Sequence, residues 1–431
     1  MIFRKLNNLS DYKTLIIKEV SFQLVEKTIR ILVGLIVIKS LSYYLGPANY
    51  GILNFIESYY LMLYGLAMFG LDIVLTKNLV ILKNDNFYDF INTSLLILFV
   101  LSLIFYLINI LVLFNFIDFG YENLILMISL LLFLNPFLVI EYLLTSKNKL
   151  RYISVVKIIA YLISSSLKLY AIYLKLELET FIFIMMIENF LLYIGYIYLV
   201  RNQIKTFKFS LTYNFKLVIK ILKEGFPIFL YGLGAIIYSR IDIFMIQRYL
   251  TDTDLGNYTA SFKLIAFLMF LPGILSTSFF PKIVSESNFS LNSDYIKKMY
   301  RYTFIFSIII FITCFILGPF MINTLFGEEF KTSLMIYNIL IFIIIISSIS
   351  AVYGKVIYSV NLQNRLLLRS IIGIMLNIVC NYFFIKAYGV IGSASATIIS
   401  LIFIELIYDF FDSELRPYHK FKLKSIIYYE K

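Results

Sequence analysis

The sequence predicts an all-α membrane protein of twelve transmembrane helices arranged as two six-helix lobes. Three observations carry the prediction. The 431 residues are 61% hydrophobic and only 15% charged, with a mean hydropathy of +0.87, far from the balance of a soluble domain. The apolar residues form long unbroken runs, as membrane helices need, whereas a membrane β-barrel would show short alternating segments. The basic residues outside those runs fall on alternate connections.

Taken in order, the predicted spans are 19–44, 52–75, 90–114, 121–144, 153–174 and 180–200 in the first half, then 225–249, 256–281, 302–325, 332–354, 366–385 and 390–411 in the second. Each meets the roughly 20 residues that a hydrocarbon layer about 30 Å thick requires. One set of connections holds Lys147, Lys149 and Arg151, the cluster Arg201, Lys205, Lys208, Lys216, Lys220 and Lys223, and the tail residues Arg416, Lys420, Lys422 and Lys424; the other holds only Lys175, Arg248, Lys331 and Lys386. This bias is expected to put both termini of a multi-pass protein in the cytoplasm. It also explains the net charge of +12 without nucleic acid as a partner. The N-terminal apolar run lacks a small-residue cleavage site and reads as a retained span.

The longest polar connection before the tail, Arg201 to Glu224, divides the chain into lobes 1–208 and 209–431. An internal repeat supports the division. Tyr44-Leu45, followed after four residues by Tyr50-Gly51, recurs as Tyr249-Leu250 and Leu255-Gly256, with the first two spans of each half on either side. An even number of spans per half gives both copies one orientation, the parallel-repeat arrangement of some transporters.

Polar side chains inside the spans follow helical spacing. In the first span Glu19, Gln23, Glu26 and Arg30 share a face, with Lys27 beside them; in the fifth, Lys157, Tyr161, Ser164 and Lys168 do; in the eleventh, Arg369, Gly373, Asn377 and Asn381 step by four. Such stripes cannot face lipid, so the expectation is a shared aqueous cavity. Arg240 and Asp242 lie within the seventh span, about 200° apart around the helix, so they cannot pair with each other. Asp242 is expected to tie its span to a basic neighbour. Acidic and basic residues within the spans are balanced in number, Glu57, Glu141, Glu188, Lys263 and Glu405 among them.

Other chemistries find little support. Asp252-Thr253-Asp254 has the D-x-D form of metal-dependent glycosyltransferases, but it occupies the repeat position of Pro47-Ala48-Asn49, which has no carboxylate, and reads as a solvated turn. A polymerase or glycan ligase would need a sizeable outer domain, and the predicted outer connections are short. There is no Gly-rich phosphate loop joined to a strand. Cys314 and Cys380 fall in apolar spans and the single histidine, His419, lies in the tail, so no metal site is expected. The chain reads as a transporter without catalytic residues.

Several landmarks recur in order along the chain: Leu45-Gly46-Pro47-Ala48-Asn49-Tyr50-Gly51, Gly70-Leu71-Asp72, Gly225-Phe226-Pro227, Arg240-Ile241-Asp242, Gly256-Asn257-Tyr258 with Lys263, Leu325-Phe326-Gly327-Glu328-Glu329-Phe330, Asn377 with Asn381, and Tyr388-Gly389-Val390-Ile391-Gly392-Ser393-Ala394. With these the chain resembles the Wzx-type polysaccharide (O-antigen) flippases of the multidrug/oligosaccharidyl-lipid/polysaccharide superfamily. The resemblance implies a MATE-like fold around a central cavity and movement of undecaprenyl-diphosphate-linked oligosaccharide, a repeat unit of O-antigen or another surface polysaccharide, from the cytoplasmic to the periplasmic leaflet. It implies substrate contacts from Lys27, Arg30, Lys157, Lys168, Arg240, Lys263, Asn377 and Asn381. Arginine suits the diphosphate because its planar fork chelates phosphate oxygens. Glu26, Glu57 and Asp242 become candidates for ion coupling or charge pairing, with H+ or Na+ as the ion and no cofactor. Partners would be the lipid-linked substrate, membrane lipids, and a polysaccharide polymerase with its chain-length regulator. A MATE-like, cation-coupled exporter of small amphiphiles is the alternative.

Overall fold

The computed structural model describes residues 9–81, 85–116, 119–203, 214–285, 294–360 and 362–427. The lobe boundary predicted at 208/209 and the basic residues Arg4, Lys5, Lys83, Lys205, Lys208 and Lys431 lie outside the described residues. Within them the chain is helical: α1 (Leu9–Met68), α2 (Leu71–Ile81), α3 (Asp85–Phe116), α4 (Glu122–Ser129), α5 (Leu138–Ser146), α6 (Leu150–Tyr173), α7 (Leu178–Gln203), α8 (Phe215–Tyr249), α9 (Asp252–Ser285), α10 (Asp294–Phe326), α11 (Ser333–Leu340), α12 (Ile343–Ser359), α13 (Gln363–Ile402), α14 (Asp409–Phe411) and α15 (Arg416–Ile427). A 3-10 segment, Leu130–Phe137, joins α4 to α5, and a π-helical turn, Phe403–Tyr408, joins α13 to α14.

Eight helices among the described residues are long and apolar enough to cross a membrane, and a ninth if Phe215–Gly234 and Ile236–Tyr249 count as one span. Two of the eight, Ser21–Met68 and Asn364–Phe411, are 48 residues long, more than twice what one crossing needs. Each is broken at one glycine with left-handed backbone, Gly46 (φ 66°) and Gly389 (φ 60°). Pro47 follows Gly46 at the first position of the next helical arm, where its missing N–H costs nothing. The outer turns expected between these spans are thus single-glycine kinks, and with α9 the arrangement is consistent with twelve crossings.

The chain forms two compact units. Unit 1 comprises residues 1–44 and 56–233; unit 2 comprises 45–55 and 234–431. The short piece after the first kink belongs to unit 2 because of what it packs against. Tyr50 sits edge-on to Phe326 and Phe330, at ring centroid distances of 5.9 and 5.7 Å. Gly51 meets Gly256 so closely that a Cβ on Gly51 would lie 2.4 Å from the Asp252 carbonyl oxygen, and one on Gly256 would lie 1.9 Å from that of Pro47. The two copies of the sequence repeat therefore pack glycine to glycine.

In unit 1 the landmarks Gly70 and Gly225 make a second close crossing. A Cβ on Gly70 would stand 2.7 Å from the Gly225 carbonyl oxygen, and Phe69 stacks on Phe229 at 4.5 Å. Four of the family-like glycines are thus explained by backbones that touch. Asp252-Thr253-Asp254, expected to be a solvated turn, is instead the first turn of α9, where the Thr251 hydroxyl and the Asp254 carboxylate bond each other's backbone N–H in a reciprocal cap.

Candidate functional site

Unit 1 gathers its buried charges where α1, α5, α6 and α7 meet. Glu188 of α7 is the hub. Its two carboxylate oxygens accept from Arg30 Nη2 at 3.1 Å and pair with Lys168 Nζ at 3.7 Å. Arg30 also stands 3.9 Å from Glu26, one turn back on α1, and its guanidinium lies 4.8 Å from the Tyr161 ring centre. The Tyr161 hydroxyl donates to the Arg30 carbonyl oxygen, so the α1 and α6 stripes lock onto each other. A second centre lies nearer the start of α6, where Lys157 Nζ donates to Glu141 Oε1 at 2.6 Å and the Tyr196 hydroxyl donates to Oε2 at 2.8 Å. Glu19 accepts the backbone N–H of Arg151 at the start of α6.

Beside this second centre lies a cavity of about 580 Å³ with Gln23, Glu26, Asp72, Lys77, Glu141 and Lys157 on its wall. Arg30 keeps 36% of its side chain exposed and Lys157 27%, whereas Lys168 keeps 14%. Ser164 is fully buried and its hydroxyl has no hydrogen-bond partner among the described residues, so it faces packed helix where the stripe pattern suggested an open lumen. Ile159 and Leu162, on the opposite side of α6, are exposed as lipid-facing residues should be. Lys27 is exposed, and Glu57 is half-buried on the second arm of α1. Glu188 is the functional candidate that spacing alone ranked too low; its one signal was a carboxylate beside Asn189 inside an apolar run.

Unit 2 holds a different kind of site. Asp242 of α8 is buried and accepts three hydrogen bonds from neutral groups: Tyr258 Oη at 2.7 Å and Thr397 Oγ1 at 2.6 Å on Oδ2, and Asn381 Nδ2 at 2.7 Å on Oδ1. The basic partner expected for it is absent among the described residues. Around the carboxylate stand further hard oxygens. Asn377 Oδ1 accepts from Asn381 at 3.2 Å, Asn381 Oδ1 accepts from Ser393 at 2.7 Å, and Asn377 donates to Ser400 at 3.2 Å. The α13 stripe is thus satisfied inside unit 2. Arg240, two residues from Asp242, is half-buried on another face of α8. Lys263 donates to Asn54 Oδ1 at 2.8 Å, beside the Tyr50 ring, as part of the glycine-crossing region.

Two turns of α13 before Asn377, past Gly373, Arg369 anchors a third cluster. It pairs with Glu405 at 2.5 Å and with Asp409 at 3.1 Å. Lys422 of α15 reaches the same two carboxylates at 3.3 and 3.5 Å, and His419 Nδ1 lies 3.4 Å from Asp409. Tyr353 lies under both cations, and Ser350 donates to Glu405. Burial pushes the Lys422 ammonium down, while Glu405 and Asp409 pull it the other way. The tail, which the sequence showed only as a basic terminal segment, is therefore docked, its histidine and one lysine fully buried.

What these sites can do follows from their chemistry. The unit 1 cavity, lined from the ends of several spans, offers amide, carboxylate and ammonium groups suited to a polar ligand. The Asp242 site offers one carboxylate and several neutral oxygens, suited to a small hard cation or a proton. The Arg369 cluster is closed upon itself.

Comparison with known proteins agrees with this picture. Residues 16–287, more than half of the chain, match the family model described as polysaccharide biosynthesis protein. A curated relative, the probable low-salt glycan biosynthesis flippase Agl15 of Haloferax volcanii, is 23% identical over 173 residues, a match that covers 39% of this chain and 36% of that protein. Among solved structures, the lipid II flippase MurJ in an inward closed conformation superposes with a TM-score of 0.75 at 15% identity, covering 95% of this chain and 90% of MurJ. An inward-facing multidrug resistance MATE transporter of the MOP superfamily superposes with a TM-score of 0.67 at 12% identity, over 87% of this chain and 92% of its own. These two share the fold.

Proposed function

Because the chain belongs to the polysaccharide biosynthesis protein family, we propose that it is a flippase that carries a lipid-linked oligosaccharide across the membrane by alternating access. The observation that carries this reading is the polar cavity of about 580 Å³ in unit 1. A glycan crossing a bilayer must exchange its water for fixed hydroxyl, amide and charged groups, and this cavity supplies them. Arg30 is the preferred diphosphate ligand: its fork is held by Glu188 and Glu26, stacked on Tyr161, and still over a third exposed. The substrate class is an undecaprenyl-diphosphate-linked repeat unit of O-antigen or another surface polysaccharide, moved from the cytoplasmic to the periplasmic leaflet of the inner membrane. There a polymerase and its chain-length regulator would receive it. Both termini are cytoplasmic in this reading.

Transport is driven by a cation taken up at Asp242. A buried carboxylate with only neutral donors can take a proton or Na+ without first displacing a lysine or arginine, and Asn377, Asn381 and Thr397 surround it with further oxygens. Binding there engages α8, α9 and the two arms of α13 at once, so ion occupancy would bias the arrangement of unit 2.

The test is reconstitution of the purified protein in liposomes with a fluorescent undecaprenyl-diphosphate oligosaccharide. Substrate should become accessible to an impermeant sugar oxidant on the far side, faster under a Na+ or proton gradient. Failure to move it, together with gradient-driven export of a small amphiphilic cation, would replace this reading with the multidrug-exporter one.

A further inference from the structure

The outer face of α15 carries a feature that transport itself does not use. Arg416, Lys420 and Lys424 step by four along this helix and are all exposed, whereas His419, Phe421, Lys422 and Ser425 on the other side are buried. The buried side is fixed at many points. Lys422 Nζ donates to the Glu405 carbonyl oxygen at 2.7 Å and pairs with Asp409, His419 packs edge-on against Phe410 at 4.4 Å, and Phe421 packs against Tyr300 at 6.3 Å. These anchors fix the rotation of α15 about its own axis, so the basic stripe must point away from the protein.

The depth of the stripe is fixed as well. Phe410 and Phe411 end the last membrane helix and are exposed, Phe411 by 76%, as residues at the edge of the hydrocarbon would be. Arg416 Nε donates to the Phe410 carbonyl oxygen at 2.7 Å, which places the first residue of α15 at that edge. Lys422 reaches back to Glu405, inside the span, so α15 lies folded against the end of the membrane helix. The nearby acidic groups are already engaged: Arg365 bonds Glu414 at 3.0 Å and stands 3.7 Å from Asp412. Lys420 and Lys424 have no acidic partner among the described residues.

We infer that α15 is an interfacial helix whose Arg416–Lys420–Lys424 stripe binds the anionic headgroups of the leaflet on the side of both termini, with phosphatidylglycerol-type phosphates as the ligand. A basic stripe held at headgroup level gains attraction from each Lys or Arg, and the buried ion cluster supplies the rigidity that an isolated amphipathic helix lacks. Through Lys422 and His419 the bilayer surface is thereby connected to Arg369, on the same helix as Asn377 and Asn381. The inference stands whether or not the cation at Asp242 drives transport.

Amine acylation of the full-length protein in nanodiscs tests it. Lys420 and Lys424 should react roughly tenfold more slowly in discs containing phosphatidylglycerol than in phosphatidylcholine alone, and high salt should restore the rate. In parallel, the R416Q/K420Q/K424Q variant should retain several-fold less phosphatidylglycerol through purification than the wild type. The K216Q/K220Q/K223Q variant, with the same charge removed from the start of α8, should retain the wild-type amount. Equal acylation in both membranes overturns the inference, and so does equal lipid loss in the two variants, which would mean bulk charge. Shielding of Lys420 and Lys424 that needs added cytosolic protein would also overturn it in favour of a protein partner. Because the stripe is exposed, its variant should keep the wild-type unfolding temperature; if it does not, the acylation of unmodified protein decides alone.

Discussion

Asn381 Nδ2 donates to Asp242 Oδ1 at 2.7 Å, so the buried acidic group of α8 is tied to α13 by a neutral amide and not by a cation. The distinction changes what its substitution should do. With a basic partner, neutralising Asp242 would strand a buried charge at about 3–5 kcal/mol. With neutral partners it strands none. Asp242→Asn should therefore reach the membrane at close to wild-type abundance and lose the stimulation of transport by a cation gradient. Measuring abundance and gradient-driven flipping on the same preparation checks this; an Asp242→Asn protein that still responds fully to the gradient removes the ion from this site.

Glu188 gives the opposite expectation, since it alone among the described residues faces both Arg30 and Lys168. Glu188→Ala leaves two cations facing each other and should cost about 2–4 kcal/mol, at the low end of buried-pair losses because Arg30 is partly exposed. Arg30→Gln, which removes one cation and leaves Lys168 paired, should cost less. Thermal unfolding in detergent ranks the two; a smaller loss for Glu188→Ala would mean that Glu188 is not the hub.

The glycine crossing in unit 2 predicts a sharp contrast between a glycine at the crossing and one away from it. Gly256→Ala would push a Cβ to within 1.9 Å of the Pro47 carbonyl oxygen, and helix backbones must separate to admit it. The cost should exceed the ~1–3 kcal/mol of ordinary overpacking, with most protein lost from the membrane. Gly232→Ala meets nothing within 4 Å and should be neutral or slightly stabilising. Membrane abundance by immunoblot separates the two.

The orientation proposed from the basic residues is tested with single cysteines. Replacements at Asn115 and Glu328 should react with an impermeant maleimide added outside intact cells, and a replacement at Asn148 should react only after permeabilisation. The reverse pattern would invert the protein and, with it, the leaflet assigned to α15.

Arg30→Lys addresses the substrate directly. The ammonium can keep one contact with Glu188 but not the planar fork, so flipping should fall several-fold at near-normal stability. An unchanged rate would leave Arg30 as a packing residue.

The sequence by itself determined the class of the protein, because a bilayer accepts only long apolar helices whose backbone bonds are internal, and that demand is written in composition and run length. It also exposed the stripes on α1, α6 and α13, since a polar residue every three or four positions has one meaning on a helix surrounded by lipid. Tertiary structure alone decided the partners. Glu188 sits 158 residues from Arg30, and Thr397 sits 155 from Asp242, separations that no spacing rule spans. It decided too that residues 45–55 join unit 2, that the glycines of the repeat meet, and that the tail folds back to bury His419 and Lys422. Periodicity reports which face of a helix is polar; it carries no information on which distant face will satisfy it, because hydrogen bonds and ion pairs in a low-dielectric interior depend on positions set by the packing of every helix at once.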